Sequence, residues 1–470
     1  MNKKFRELIK DTFIFSLGSL GSKLILFILV PLYTNYLTTA EYGTAELVFT
    51  IAQLLIPVAS VTIWNGLIRF GLMKDQCPES VFKNSFLICI FGSVLIVFST
   101  PLIGFYSPIC EWKWYLSLYS IVYIFTFVEL NYLKVIGKNK LFSLMSVVQT
   151  LLLATLNIIL LVSLKMGVKG YLLSNIIANF VVAFLIFFVG KIYFAFQKGH
   201  FDFYLLKSLL KYSAPLIMND ISWWFIHSSD KIMIEWMVSK NDLGLYTVAS
   251  KIPGLINTFV SIFSQSWGIS SIKEIESTND TSYYSKVFYY YSTLSFFAAI
   301  GFISIIKPFM QIYVGIDFID AWRFVPLLLV AASFSAISTY YGSMFGALKK
   351  SVECMWSTIV GAILNVVLNY IFIRRIGTWG AIVGTVCALF TMAFIRMIWV
   401  NYYIKMKIYW NKLIIDFMIL FADGIIISLD WNIIIVSIGS MLLFILNHND
   451  ILQLLYTVVL KQKNKREPLE

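Results

Sequence analysis

Apolar runs of about twenty residues, broken by short polar links, repeat along almost the whole chain. A bilayer-spanning helix needs about 20 mostly apolar residues, so each run predicts a span. The first covers Thr12 to Val30. Others begin near Ala40, Lys83, Tyr115, Phe142, Tyr171, Ser213, Asp242, Val287, Trp322, Cys354, Ala381, Leu413 and Asn432. The pattern predicts an all-α polytopic membrane protein of about 14 transmembrane helices. The links are too short to hold a soluble domain.

Composition agrees. Of 470 residues only 13% are charged and 59% are apolar, against about 25% charged in an ordinary soluble domain, and mean hydropathy is +0.80. A water-soluble globule is excluded. The first run lacks a small-residue cleavage site and reads as a retained span rather than a signal peptide. The five cysteines are scattered and the three histidines form no metal-ligand spacing, so no disulfide framework, metal site or cofactor is expected.

The net charge of +12 sits mainly in the links. With an even number of spans, the side that carries both termini holds 26 Lys and Arg and the other side 8, with Lys23, Lys231 and Lys251 inside spans. Basic loops stay cytoplasmic. Both termini are therefore expected in the cytoplasm, and nucleic acid is not an expected partner.

The chain also repeats itself. Leu37 to Leu47 resembles Val238 to Val248, with Glu41 matching Asp242 and Gly43 matching Gly244 at an offset of 201. Gly167 and Gly170 return as Gly377 and Gly380, and Gly137 beside Lys138 and Lys140 is matched to Gly346 beside Lys349 and Lys350. Each repeat holds six predicted spans. An even number makes the halves parallel, related by an axis along the membrane normal. The predicted organisation is a six-helix lobe over 1–200, a second over 208–408, and two extra helices with a basic tail over 409–470.

Charged groups inside a span are costly, so by default they face a bundle interior or a wet cavity. At about 100° per residue, Thr12, Ser16, Ser19 and Lys23 share one face of the first span. Tyr42, Glu46, Thr50, Gln53 and Ser60 do so in the second, Asp220, Trp224, His227, Lys231 and Glu235 in the seventh, and Thr247, Lys251, Thr258 and Gln265 in the eighth. The offset of 201 carries Glu46 to Thr247 and Thr50 to Lys251, so these faces share a phase. We read the four stripes as the lining of a hydrated cavity, in which Lys23, Lys231 and Lys251 are candidate contacts for an anionic group. The alternative is structural pairing: Lys231 with Glu235, and Lys251 with Asp230 or Glu46. Trp224 is a candidate stacking surface for a sugar, or an ordinary core aromatic. Glu129, alone in its span, is a candidate cation or proton site or a locally bonded carboxyl.

Several stretches carry a family resemblance: Pro31 to Gly43 (PLYTNYLTTAEYG), Ala214-Pro215, Ser229-Asp230-Lys231, Gly244 to Lys251 (GLYTVASK), and Asn365 and Asn369 followed by Gly377 and Gly380. In these the chain resembles polysaccharide repeat-unit flippases of the O-antigen and capsule type, in the polysaccharide-transporter branch of the multidrug/oligosaccharidyl-lipid/polysaccharide exporter superfamily. The resemblance implies a twelve-helix two-lobed core with two further helices, in a bacterial cytoplasmic membrane. It implies an undecaprenyl-diphosphate-linked oligosaccharide moved from the inner to the outer leaflet by alternating access, with no covalent chemistry. Lys23, Lys231, Lys251 and Trp224 are then the expected substrate contacts. Glu46, Asp220, Asp230, Glu235 and Glu129 serve ion coupling, sugar binding or neutralisation of the lysines. Membrane lipids, a polysaccharide polymerase and a chain-length regulator are the implied partners. A drug or organic-cation antiporter of the same superfamily is the nearest rival, and a polytopic polymerase a more distant one.

Overall fold

The computed structural model describes residues 21–449 apart from 22, 74, 278–280 and 432. Every regular element described is helical. The helices are α1 (Val30–Tyr36), α2 (Thr39–Ala59), α3 (Ile63–Gly71), α4 (Pro78–Ile103), α5 (Lys113–Val135), α6 (Asn139–Asn157), α7 (Gly167–Val189), α8 (Tyr193–Lys198), α9 (Phe203–Met237) and α10 (Lys240–Ser277). They continue as α11 (Thr281–Tyr313), α12 (Val325–Ala347), α13 (Ser351–Ile376), α14 (Thr378–Ile404), α15 (Trp410–Ser428) and α16 (Ile433–Asn447). Among the described residues nine helices are long and apolar enough to cross a membrane. The long α9 and α10, which carry two of the four polar stripes, fall outside that group.

Most predicted span starts land within the opening turns of a helix, or a little inside it. The first span lies largely outside the described residues. Local chemistry sets several boundaries. At the start of α2, Thr38 and Glu41 form a reciprocal capping box, which satisfies two backbone donors that a helix start leaves free. Asp202 caps α9, and Ser239 with Asp242 does the same for α10. The second polar stripe overruns its helix at Ser60: α2 stops at Ala59, and Val61 and Thr62 take the left-handed conformation at φ 53° and 47° before α3 begins.

Two of the three glycine echoes have a structural counterpart. Gly167 and Gly377 both turn the chain at φ +56° and +58°, a conformation cheap only for glycine. The third is corrected: Gly346 lies inside α12, and the residue placed like Gly137, two beyond its helix end at positive φ, is Lys349.

Contacts divide the chain into two compact units: Met1–Lys251 with Tyr313–Ile319 and Thr358–Gly384, and Ile252–Ile312 with Asp320–Ser357 and Thr385–Glu470. In the first, α4 turns Phe91, Leu95, Phe98 and Leu102 outward, an apolar stripe at helical spacing suited to lipid. In the second, α12 is buried almost along its whole length. There Arg396 of α14 is buried. It donates from Nε to Ser357 Oγ and from Nη1 to the Ser338 carbonyl, both at 2.9 Å.

Candidate functional site

The repeated glycines set up the site. A Cβ on Gly43 would lie 2.3 Å from the Lys240 carbonyl oxygen, and one on Gly244 would lie 2.1 Å from that of Thr39. Each glycine thus admits the first turn of the other's helix, so α2 and α10 cross backbone to backbone at their starts. Thr39 Oγ1 and Asn241 Oδ1, at 2.8 Å, close the contact. The capping acids Glu41 and Asp242 fix the two starts in matching fashion. The sequence echo is therefore a reciprocal helix crossing.

Just inside this crossing the polar stripes meet. Glu46 of α2 is buried at 7% exposure. Its Oε1 accepts from Lys251 Nζ of α10 at 3.1 Å and from the Tyr171 hydroxyl of α7 at 3.0 Å. Its Oε2 lies 3.6 Å from Lys231 Nζ of α9. One carboxylate thus serves two ammonium groups, a cluster with net positive charge. The Lys251 side chain is 32% exposed and that of Lys231 15%, so Lys251 is the more accessible cation. Tyr33, Tyr42, Phe49 and Tyr171 pack against one another around Glu46. This aromatic wall lowers the local dielectric response and strengthens each polar contact.

Of the two expected pairings, Lys251 takes Glu46. Lys231 does not take Glu235, its neighbour one turn on; Glu235 Oε2 accepts from the Tyr106 hydroxyl at 2.6 Å. Asp230 accepts from the Tyr246 hydroxyl and from the Lys231 backbone N–H. Trp224 is buried and donates its indole N–H to the Thr50 carbonyl at 2.9 Å. One edge of it borders an open, mainly apolar cleft of about 590 Å³ between α9 and α13, with Phe225, Met233, Trp236, Val367 and Tyr370. Asp220, half-buried, lies against Asn219. Lys23 is exposed and makes no ion pair among the described residues. Glu129 is buried on α5 with Oε2 lacking a hydrogen-bond partner among the described residues. The structure therefore brings together Glu46, Lys231 and Lys251 and leaves Lys23, Glu129 and Asp220 outside that network.

Sequence reasoning assigns no role to the Tyr171 hydroxyl, and it names Asn365 and Asn369 only as part of the family resemblance, without the bonds that link them to Ser229. Asn369 Nδ2 donates to Asn365 Oδ1 at 3.1 Å, and the Ser229 hydroxyl reaches the same atom at 3.2 Å. The spacing of the two asparagines, one helical turn, was the available signal.

The chain is 24% identical over 262 residues to "Lsg locus putative protein 1" of Haemophilus influenzae, an alignment covering 55% of this chain and 64% of that protein. It is also 24% identical to an uncharacterized membrane protein of the same organism, covering 54% and 62%. The chain thus spans less than two thirds of the length of these curated relatives. A solved structure of the lipid II flippase MurJ in an inward closed conformation matches with TM-score 0.69 at 14% identity, over 94% of this chain and 100% of that one. An inward-facing multidrug resistance MATE transporter of the MOP superfamily matches with TM-score 0.65 at 16% identity, over 83% and 94%. At these identities the likeness shows the fold, which is the one these membrane transporters share. The family described as polysaccharide biosynthesis protein matches residues 8–267, more than half of the chain, and the protein belongs to that family.

Proposed function

We propose that this protein is a flippase that carries an undecaprenyl-diphosphate-linked oligosaccharide from the inner to the outer leaflet of the cytoplasmic membrane. The observation that carries the reading is the pair of lysines held by one buried carboxylate. A diphosphate brings more negative charge than Glu46 and offers several acceptor oxygens, so it can draw Lys251 and then Lys231 away from Glu46 by charge-assisted hydrogen bonds. Until it arrives, both ammonium groups share the Glu46 carboxylate as their partner, which offsets one of the two positive charges.

In this account two six-helix lobes, 1–200 and 208–408, enclose the head group while the lipid tail stays in the bilayer. Their rocking exposes the cluster on alternate sides, as parallel-repeat transporters do. The glycine crossing of α2 and α10 supports this reading because it joins equivalent helices of the two repeats at their starts. No bond is made or broken.

The test is to place the purified protein in liposomes with polyprenyl-diphosphate-linked oligosaccharide in one leaflet and follow its appearance in the other. Protein-dependent exposure supports the reading. No exposure, together with efflux of organic cations, would favour an antiporter of the same fold.

A further inference from the structure

The two helices outside the repeats contain a buried cluster that the transport reading does not use. His448, just beyond α16, is 4% exposed and Asp416 of α15 is 2% exposed. His448 Nδ1 lies 3.2 Å from the Phe444 carbonyl oxygen, one turn back. Its Nε2 lies 3.1 Å from Thr293 Oγ1 of α11 and 3.4 Å from Asp416 Oδ2. Asp416 is oriented by Asn447, whose Nδ2 donates to Oδ1 at 2.8 Å.

The carbonyl only accepts, so Nδ1 carries a hydrogen whichever form the ring takes. Among the described residues Nε2 then has partners of opposite character in Thr293 and Asp416. In the neutral ring Nε2 is an acceptor, and the Thr293 hydroxyl can donate to it. In the protonated ring Nε2 is a donor, and the Asp416 carboxylate receives it as an ion pair. In either state Nε2 has a partner without moving a heavy atom. Buried polar groups are normally hydrogen-bonded, and Nε2 has a partner as acceptor and another as donor. Imidazole is also the side chain whose unperturbed charge change falls between pH 5 and 8. A small cavity of about 10 Å³ borders Thr293 and Asp416, close to the space one water needs.

Other titratable groups among the described residues lie near the ring. Tyr289 of α11 stacks on it at 5.7 Å and bonds Lys412 Nζ through its hydroxyl at 2.9 Å. Tyr409 borders the same cavity. Asp423 is buried two turns beyond Asp416 on α15, with neither oxygen hydrogen-bonded among the described residues.

We infer that His448, Thr293 and Asp416 form a proton-binding site between α11, α15 and α16, distinct from the lysine cluster. The inference goes beyond the flippase reading, and its readout is stability, which needs no transport. The experiment is thermal unfolding of the purified protein from pH 5 to 8, comparing wild type with His448→Gln, Thr293→Val and Asp416→Asn. Wild type should show a midpoint in its stability against pH that His448→Gln abolishes. Thr293→Val removes the neutral ring's partner and should move the midpoint up by about one pH unit, a tenfold gain in proton affinity. Asp416→Asn removes the charged ring's partner and should move it down by a similar amount. If Asp416→Asn does not fold, the upward shift in Thr293→Val decides alone. A wild-type curve without that midpoint, or variants that lower stability equally with the midpoint unmoved, would overturn the inference.

Discussion

Glu46→Gln isolates the charge of the central carboxylate while keeping its shape and an acceptor for Tyr171. In the native protein the carboxylate meets two ammonium groups at 3.1 and 3.6 Å. At an effective dielectric constant of about 20, each attraction is about 5 kcal/mol, offset by the hydration each ion gives up. Removing one partner of a buried pair costs about 3–5 kcal/mol net. Lys251 is nearly one third exposed, so water recovers part of its share. We therefore expect Glu46→Gln to destabilise the protein by about 3 kcal/mol. Most of that cost is the stranding of Lys231, so adding Lys231→Met should make the double variant less destabilised than the sum of the singles by about 1–3 kcal/mol. Equilibrium unfolding in mixed micelles, run as a double-mutant cycle, measures both quantities. A Glu46→Gln variant within about 0.5 kcal/mol of wild type, or strictly additive singles, would refute the claim that the cluster is an electrostatic unit.

Three further outcomes are expected. Gly244→Ala sets a methyl group 2.1 Å from the Thr39 carbonyl oxygen, where only backbone movement gives relief, so it should lower the unfolding midpoint by several degrees; overpacking of this kind costs about 1–3 kcal/mol. Arg396→Leu leaves the Ser338 carbonyl without its buried donor and should cost about 1–3 kcal/mol, read as reduced yield of folded protein in detergent. Trp224→Phe retains the aromatic bulk but loses the bond to the Thr50 carbonyl, a change of about 1 kcal/mol measurable in the same unfolding assay.

Much of this architecture was legible in the chain because membrane spans are written locally: a run of about twenty apolar residues in lipid has little alternative to a helix. The stripes were legible for the same reason, since helical phase alone puts Glu46 and Thr50 on one face and Lys231 near Trp224. Partners were less legible. Lys231 has an acid one turn away in Glu235, yet its charge goes to Glu46 across a helix interface, while Glu235 turns to Tyr106. Sequence proximity does not encode which of two faces a neighbouring helix covers. The Gly137 echo failed differently: Lys349 adopts the left-handed conformation usually left to glycine, so residue identity hid a conserved backbone shape between the halves.

The account rests on the lysine cluster receiving an anionic head group. The direct measurement is leaflet-to-leaflet transfer of a polyprenyl-diphosphate-linked oligosaccharide in proteoliposomes containing wild type, Lys251→Ala, Lys231→Ala or Lys251→Arg, each matched for amount and thermal stability. The account predicts at least about a tenfold loss in both alanine variants, equivalent to about 1.4 kcal/mol, and substantial retention in Lys251→Arg. Transfer at the wild-type rate in both alanine variants would contradict it.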